Sequence, residues 1–271
     1  MLLLSDPGLP TDTQAKLTEL QRGVDRAGSY ARRVARAKAA FSQRNKKTDP
    51  TFQVVRATLA AMCAGPRRCM YCEDSVADEV EHLAPKNLYP ERVFDWLNYC
   101  YACGPCNGPK GSSWPLFVGR ARKPKPFAHP RQRRGRRAPV LKPPPKGMAA
   151  LLDPRVDDPF DFLALDLVST FRFTELPKTG TRNFERARYT IELLNLNRDP
   201  LPQARKSKFD FFVYALRAAV AAIHDQSELA RIRERVRDTD HPTVWAEMKR
   251  WHRQRPELDA LFKKVPAALS W

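Results

Sequence analysis

Two Cys-x-x-Cys pairs, Cys69/Cys72 and Cys103/Cys106, are separated by 30 residues and enclose a single Glu-His, Glu81-His82. Asn98 lies in the stretch between the pairs, and Asn107 directly follows the last cysteine. Each Cys-x-x-Cys turn offers two sulfurs from one side, and a d¹⁰ zinc ion accepts four thiolates tetrahedrally. In a reducing compartment this spacing therefore points to structural Zn2+ rather than to disulfides. The competing explanation is four ordinary reduced thiols. Cys100/Cys103 is also a Cys-x-x-Cys. Cys106 is preferred as the ligand because "CGPCN" reads as a helix-opening knuckle, which leaves Cys100 as a strand residue facing the core and Cys63 as the buried end of the preceding helix. His82 has the profile of a general base, since an imidazole with an ordinary pKa of about 6.5 is largely neutral at cellular pH and takes a proton from water. Glu81 and Asn107 are oxygen donors suited to a hard cation such as Mg2+ or Mn2+. An isolated histidine is more often a surface or core residue; here the cysteine frame and the asparagines accompany it.

These residues need elements to hold them. Apolar spacing and caps predict a long Ala- and Arg-rich helix over about 13–43, opened by Thr11 or Asp12 and open to interruption at Gly23 and Gly28. It reads as an arm or docking helix. A second helix starts at "TDPT", with Thr48 or Asp49 as cap and Pro50 in its first turn, and places Phe52, Val55, Leu59 and Met62 on one face to pack on the cysteine module. Further on, Phe171 and Phe173 alternate with polar residues as a short strand. Helices are expected over about 182–194, 206–224, 228–237 and 242–253, with Ser227 and Asp240 as caps. The segment "FDFFVYALRAAVAAIHD" is apolar nearly all round and is placed at the centre of a C-terminal core. The fold class is α+β, in four regions: a helical arm (1–62), the cysteine and histidine module (63–118), a basic linker (119–147) and a mainly helical C-terminal domain (148–271).

A chain of 271 residues with 42% hydrophobic residues has enough apolar surface for a core, and its formal charge of +18 favours a polyanionic partner. Nucleic acid comes first and an acidic membrane surface second. The linker from Gly119 to Gly147 holds eleven Lys and Arg, seven prolines and no acid, and removing its charge leaves +7 on the rest. Such a composition buries no core and reads as an extended or disordered linker. Arg131, Arg133, Arg134, Arg136 and Arg137 within it are candidate phosphate contacts; the plainer reading is a solubilising linker. No apolar run reaches the roughly 18 to 20 residues of a membrane span, and the apolar start of "MLLLSDPGLP" is shorter than a secretory h-region, so the expected location is cytoplasmic with no membrane partner. Asp153, Asp157 and Asp158 in "DPRVDDP" are read as turn and cap carboxylates in preference to a second metal site. His129, His224, His241 and His252 are read as surface residues.

Together, "CMYC…EH…PK…WLN…CGPCNGPK" resembles an HNH endonuclease of the ββα-metal superfamily in its zinc-bearing form. That resemblance implies a small ββα-metal module with a four-cysteine zinc site. It makes His82 the base that activates water, Asn98 the residue that holds the hairpin loop, and Glu81 with Asn107 the ligands of a catalytic Mg2+ or Mn2+. Lys110, after the last cysteine, and Lys86 are the implied nucleic-acid contacts. Asn at the third position and Glu in place of Asp are known variants of the family.

A wider resemblance, through "YCEDS", "EHLAPKNLYPERVFDWLNY", "LLDPRVDDPFDFL" and "TIELLNLNRDPLPQAR", is to HNH proteins related to the effectors of Septu and some retron anti-phage systems, which work with an ABC-type ATPase. The implied activity is phosphodiester hydrolysis in DNA, double-stranded by groove geometry, with single strands and RNA left open. The alternative is a zinc-stabilised nucleic-acid-binding module without turnover.

Overall fold

A computed structural model describes residues 1–130 and 140–271; Arg131, Arg133, Arg134, Arg136 and Arg137 lie outside the described residues. Where one long N-terminal helix was expected there are two, α1 (Thr11–Asp25) and α2 (Tyr30–Arg44). The break falls at Gly28, whose φ of +82° ends the first, and the Ser29 hydroxyl accepts from the Arg32 amide to cap the second. Gly23 stays inside α1. Pro10, with no side-chain bond, holds the cap position of α1, so neither Thr11 nor Asp12 does. α3 (Pro50–Ala61) begins as its residues dictate, with Asp49 accepting from the Phe52 amide at 3.1 Å and Pro50 in the first turn. Its Phe52, Val55 and Leu59 are buried, and the Phe52 ring meets those of Phe94 and Tyr99.

Two short strands follow, β1 (Glu79–His82) and β2 (Tyr99–Ala102), paired antiparallel with Glu81 opposite Cys100 and His82 opposite Tyr99. α4 (Gly104–Lys110) starts two residues after β2. β3 (Leu116–Phe117) pairs with β4 (Met148–Ala149) across the basic segment, and Leu116 also exchanges both backbone hydrogen bonds with Lys125 at 2.9 Å. The start of that segment thus folds back along β3. β5 (Leu163–Leu165) and β6 (Phe173–Glu175) form a third antiparallel pair.

The C-terminal part is helical: α5 (Arg182–Leu193), α6 (Leu201–Ala221), α7 (Gln226–Arg237), α8 (Pro242–Trp251) and α9 (Pro256–Lys264). The class is α+β. α6 begins earlier than its apolar run indicates, and it is one-faced rather than apolar all round: Phe212, Ala215, Leu216 and Ala219 are buried while Tyr214 is 73% exposed. The cap of α7 is Asp225, which accepts from the amides of Ser227 and Glu228, in place of the expected Ser227. His241, in the left-handed region at φ +52°, precedes α8 where Asp240 was expected to cap it. Among the described residues one hydrophobic cluster runs from Met1 through Leu17 in α1 to Ala268. Its seam is tight at Gly65, where an added Cβ would lie 2.8 Å from the Thr239 carbonyl carbon and the φ of +45° is one a side chain strains. Among the described residues no helix is long and apolar enough to cross a membrane.

Candidate active site and cysteine cluster

The sulfurs of Cys69, Cys72, Cys103 and Cys106 all lie within 4.8 Å of one another, and all four residues are buried. A Zn–S bond of about 2.3 Å sets tetrahedral sulfurs about 3.8 Å apart, and Cys72 Sγ stands 3.8 Å from Cys103 Sγ. The four thiols therefore have the dimensions of a tetrathiolate metal site. Each pair sits in a tight turn closed by its own backbone: the Glu73 amide donates to the Cys69 carbonyl at 2.8 Å, and the Asn107 amide to the Cys103 carbonyl at 2.9 Å. Cys100 is fully buried on β2, outside the cluster, and Cys63 is half-buried past the end of α3.

Residues far away in sequence brace both turns. Glu73 follows Cys72 in the left-handed region at φ +62°. Its buried carboxylate accepts from the Thr243 amide at 3.1 Å and the Thr243 hydroxyl at 2.6 Å, in the first turn of α8, and from the Met1 ammonium at 2.7 Å. An anion there is favoured by the free amides and dipole of the helix start. Behind the second turn, both terminal nitrogens of Arg198 lie 3.6 Å from Cys106 Sγ.

His82 is 3% exposed and is packed edge-on by the Phe41 ring, with centroids 4.4 Å apart, and by Tyr99 at 5.2 Å. Its Nε2 stands 2.9 Å from the Val93 carbonyl, which only accepts, so Nε2 carries the hydrogen and Nδ1 keeps its lone pair. Nδ1 has no hydrogen-bond partner among the described residues. Burial pushes the imidazole down to about 3, and the charge on Lys86 adds to it, so the ring is neutral at cellular pH.

The loop between β1 and β2 is clamped from inside by the fully buried Asn98. Its Nδ2 donates to the carbonyls of Ala84 (3.0 Å) and Arg92 (2.9 Å), and its Oδ1 accepts from the Ala84 amide at 2.7 Å. From outside, Gln21 of α1 donates to the Pro90 carbonyl and accepts from the Phe94 amide.

Glu81 is buried, and its carboxylate is ion-paired to the ammonium of Lys110, which also donates to the His82 carbonyl at 2.8 Å. Burial pushes the Glu81 carboxyl up against the opposing pull of Lys110. Lys110 is fully buried, so it is not at the surface, where the resemblance placed it as a nucleic-acid contact; the Glu81 charge holds it inside. Asn107 donates its side-chain amide to Glu79, two residues before Glu81, and among the described residues makes no hydrogen bond to Glu81. Between β1 and α4 the structure thus makes two separate pairs, Glu81 with Lys110 and Glu79 with Asn107. Lys86 holds its ammonium 5.0 Å from the centre of the Phe41 ring. A cleft of about 200 Å³ opens beside His82 and Glu81 and is lined also by Lys38, Lys86, Asn87 and Ser112.

The carboxylates of "DPRVDDP" serve the backbone and an ion pair. Asp158 accepts from the Phe160 amide, Asp153 from that of Arg155, and Asp157 pairs with Arg186. His241, expected at the surface, is 1% exposed, with Nε2 3.2 Å from an Asp74 oxygen, because the turn into α8 seats on the first cysteine turn. Sequence reasoning missed Lys38, Phe41, Glu73 and Arg198; only the absence of acid from α2 marked its neighbourhood.

No family model matches the chain. Over 59 residues it is 41% identical to the Septu protein PtuB of Bacillus thuringiensis; that segment spans 20% of this chain and 23% of the length of that protein.

Proposed function

We propose that the chain is a zinc-stabilised, metal-dependent HNH-type endonuclease that hydrolyses phosphodiester bonds in DNA and serves a Septu-like anti-phage defence system in the cytoplasm. One observation carries this reading: a neutral His82 with Nε2 committed to Val93 leaves Nδ1 as a proton acceptor beside a cleft lined with Lys38 and Lys86. His82 takes the proton of the attacking water. The Val93 carbonyl, Phe41 and Tyr99 fix its ring, and Asn98 fixes the loop that carries Val93. Lys86 draws the scissile phosphate toward the imidazole, and the charge of that phosphate offsets the cations that depress the base.

The four cysteines fit zinc by number, burial and spacing. The oxygen donors Glu79, Glu81 and Asn107 fit a hard divalent cation, with Asn107 turning its amide nitrogen to Glu79 and so leaving Oδ1 as the metal-binding atom. Bound there, Mg2+ or Mn2+ would supply charge stabilisation to the pentacoordinate phosphorus and the leaving oxygen. Glu81 must then exchange the Lys110 ammonium for the ion. The PtuB match supports the defence setting, and the wider resemblance adds an ABC-type ATPase as partner.

The buried Glu81–Lys110 pair favours a second reading, a nucleic-acid-binding module without turnover, since a carboxylate neutralised by an ammonium attracts a cation less. Plasmid cleavage separates the two. His82→Ala should keep zinc, fold and DNA affinity while cutting roughly 100- to 10,000-fold more slowly, and wild-type cleavage should need added Mg2+ or Mn2+. A variant that cuts as fast as wild type removes His82 as base. A wild type that cuts neither DNA nor RNA, with or without the ATPase, establishes the binding module.

A further inference from the structure

We infer that the outer face of α2 is the rail along which the phosphodiester backbone of nucleic acid approaches the cleft, with Lys38 as the helix's own phosphate contact at the cleft mouth. The inference rests on the nuclease reading above and names how its substrate is held. α2 carries five basic residues, Arg32, Arg33, Arg36, Lys38 and Arg44, and no acid. Exposed α7, by contrast, alternates Arg with Glu228 and Glu234. A solubilising helix has no need of one sign only, whereas a rail for a polyanion does.

Packing fixes where that charge points. Val34, Ala37, Ala40 and Phe41 are buried, and Phe41 lies against the His82 ring, so the rotation of α2 is set by contact with the proposed base itself. Lys38, one turn before Phe41, reaches the cleft that His82 lines. Ala31, Ala35, Lys38 and Ser42 recur at steps of four, three and four, which places them along one exposed face of the helix. Beside Lys38 this row offers only small side chains, so a backbone can come close to the helix. Arg32 and Arg36 form the next exposed row, about 6 Å apart along the axis at 1.5 Å per residue.

The test is the salt dependence of binding of a labelled DNA duplex to the full chain without divalent cation, so that nothing is cut. Arg32→Gln/Arg36→Gln/Lys38→Gln should lower the slope of log affinity against log salt by about two to three, near one for each lost phosphate contact, and Lys38→Arg should restore its share. Arg233→Gln/Arg235→Gln on exposed α7 controls for total charge, with zinc content and circular dichroism checking the fold of each variant. A triple variant whose slope matches the α7 control overturns the inference and leaves the nuclease reading standing. So does loss of association with a purified ATPase partner at an unaltered DNA slope, which would make α2 a protein-docking face. A wild type that binds no nucleic acid removes both.

Discussion

The two cysteine turns have the same spacing and nearly the same closing hydrogen bond, yet they are braced by opposite charges. Behind Cys72 stands a carboxylate, Glu73, anchored on the start of α8; behind Cys106 stands a guanidinium, Arg198, resting on the sulfur. The first brace holds the turn to the body of the protein and touches no thiol. The second acts on the ligand itself, and a cation against a thiolate favours the deprotonated form that binds metal. The carboxylate secures the first turn as structure, whereas the guanidinium acts on thiols of both turns, Cys106 first and Cys72 with it, and the helical C-terminal part supplies both braces.

Removing a ligand should erase the distinction. Cys72→Ala and Cys106→Ala should both lose zinc and unfold the hairpin, because a structural zinc supplies on the order of 10 kcal/mol of apparent folding free energy. Elemental analysis with thermal melting checks this, and a fully stable zinc-free variant would contradict the metal assignment. Glu73→Gln should separate the turns. It unpairs the buried Met1 ammonium and weakens the α8 anchor, so about 3 to 5 kcal/mol of stability should go while zinc stoichiometry holds. Arg198→Met should do the reverse, lowering zinc affinity roughly 10- to 100-fold with a smaller change in the melt of the loaded protein, measured by competition with a chromophoric chelator. Equal effects of the last two on both readouts would end the comparison.

What the sequence disclosed follows the reach of its signals. Cys-x-x-Cys spacing is local and marked the four residues that the fold gathers, and Asp49-Pro50 announced the start of α3. Gly28 was read as an interruption that became the break between α1 and α2. The misses are long-range. Glu73 meets Thr243 across 170 positions and Arg198 meets Cys106 across 92, and no local pattern encodes either partner. His241 looked like a surface histidine because no motif surrounds it; its burial comes from a contact with Asp74, 167 positions away. Lys110 carried a motif position, but the acid that holds it inside could be seen only once β1 and α4 were packed together. α9 is nine residues long, too short a run for apolar periodicity to register.

The distance between Glu73 and Thr243 also sets an order of events during synthesis. The 170 positions between them correspond to roughly ten to thirty seconds of ribosomal elongation. Throughout that interval the first cysteine turn has emerged but its anchor has not been made, and Arg198 appears before Thr243. The thiols therefore reach a state in which they could take up metal before the turn that carries two of them is fastened. Early metal capture would hold the two knuckles together while the helices are still arriving, and the last helices then close over a site that is already assembled.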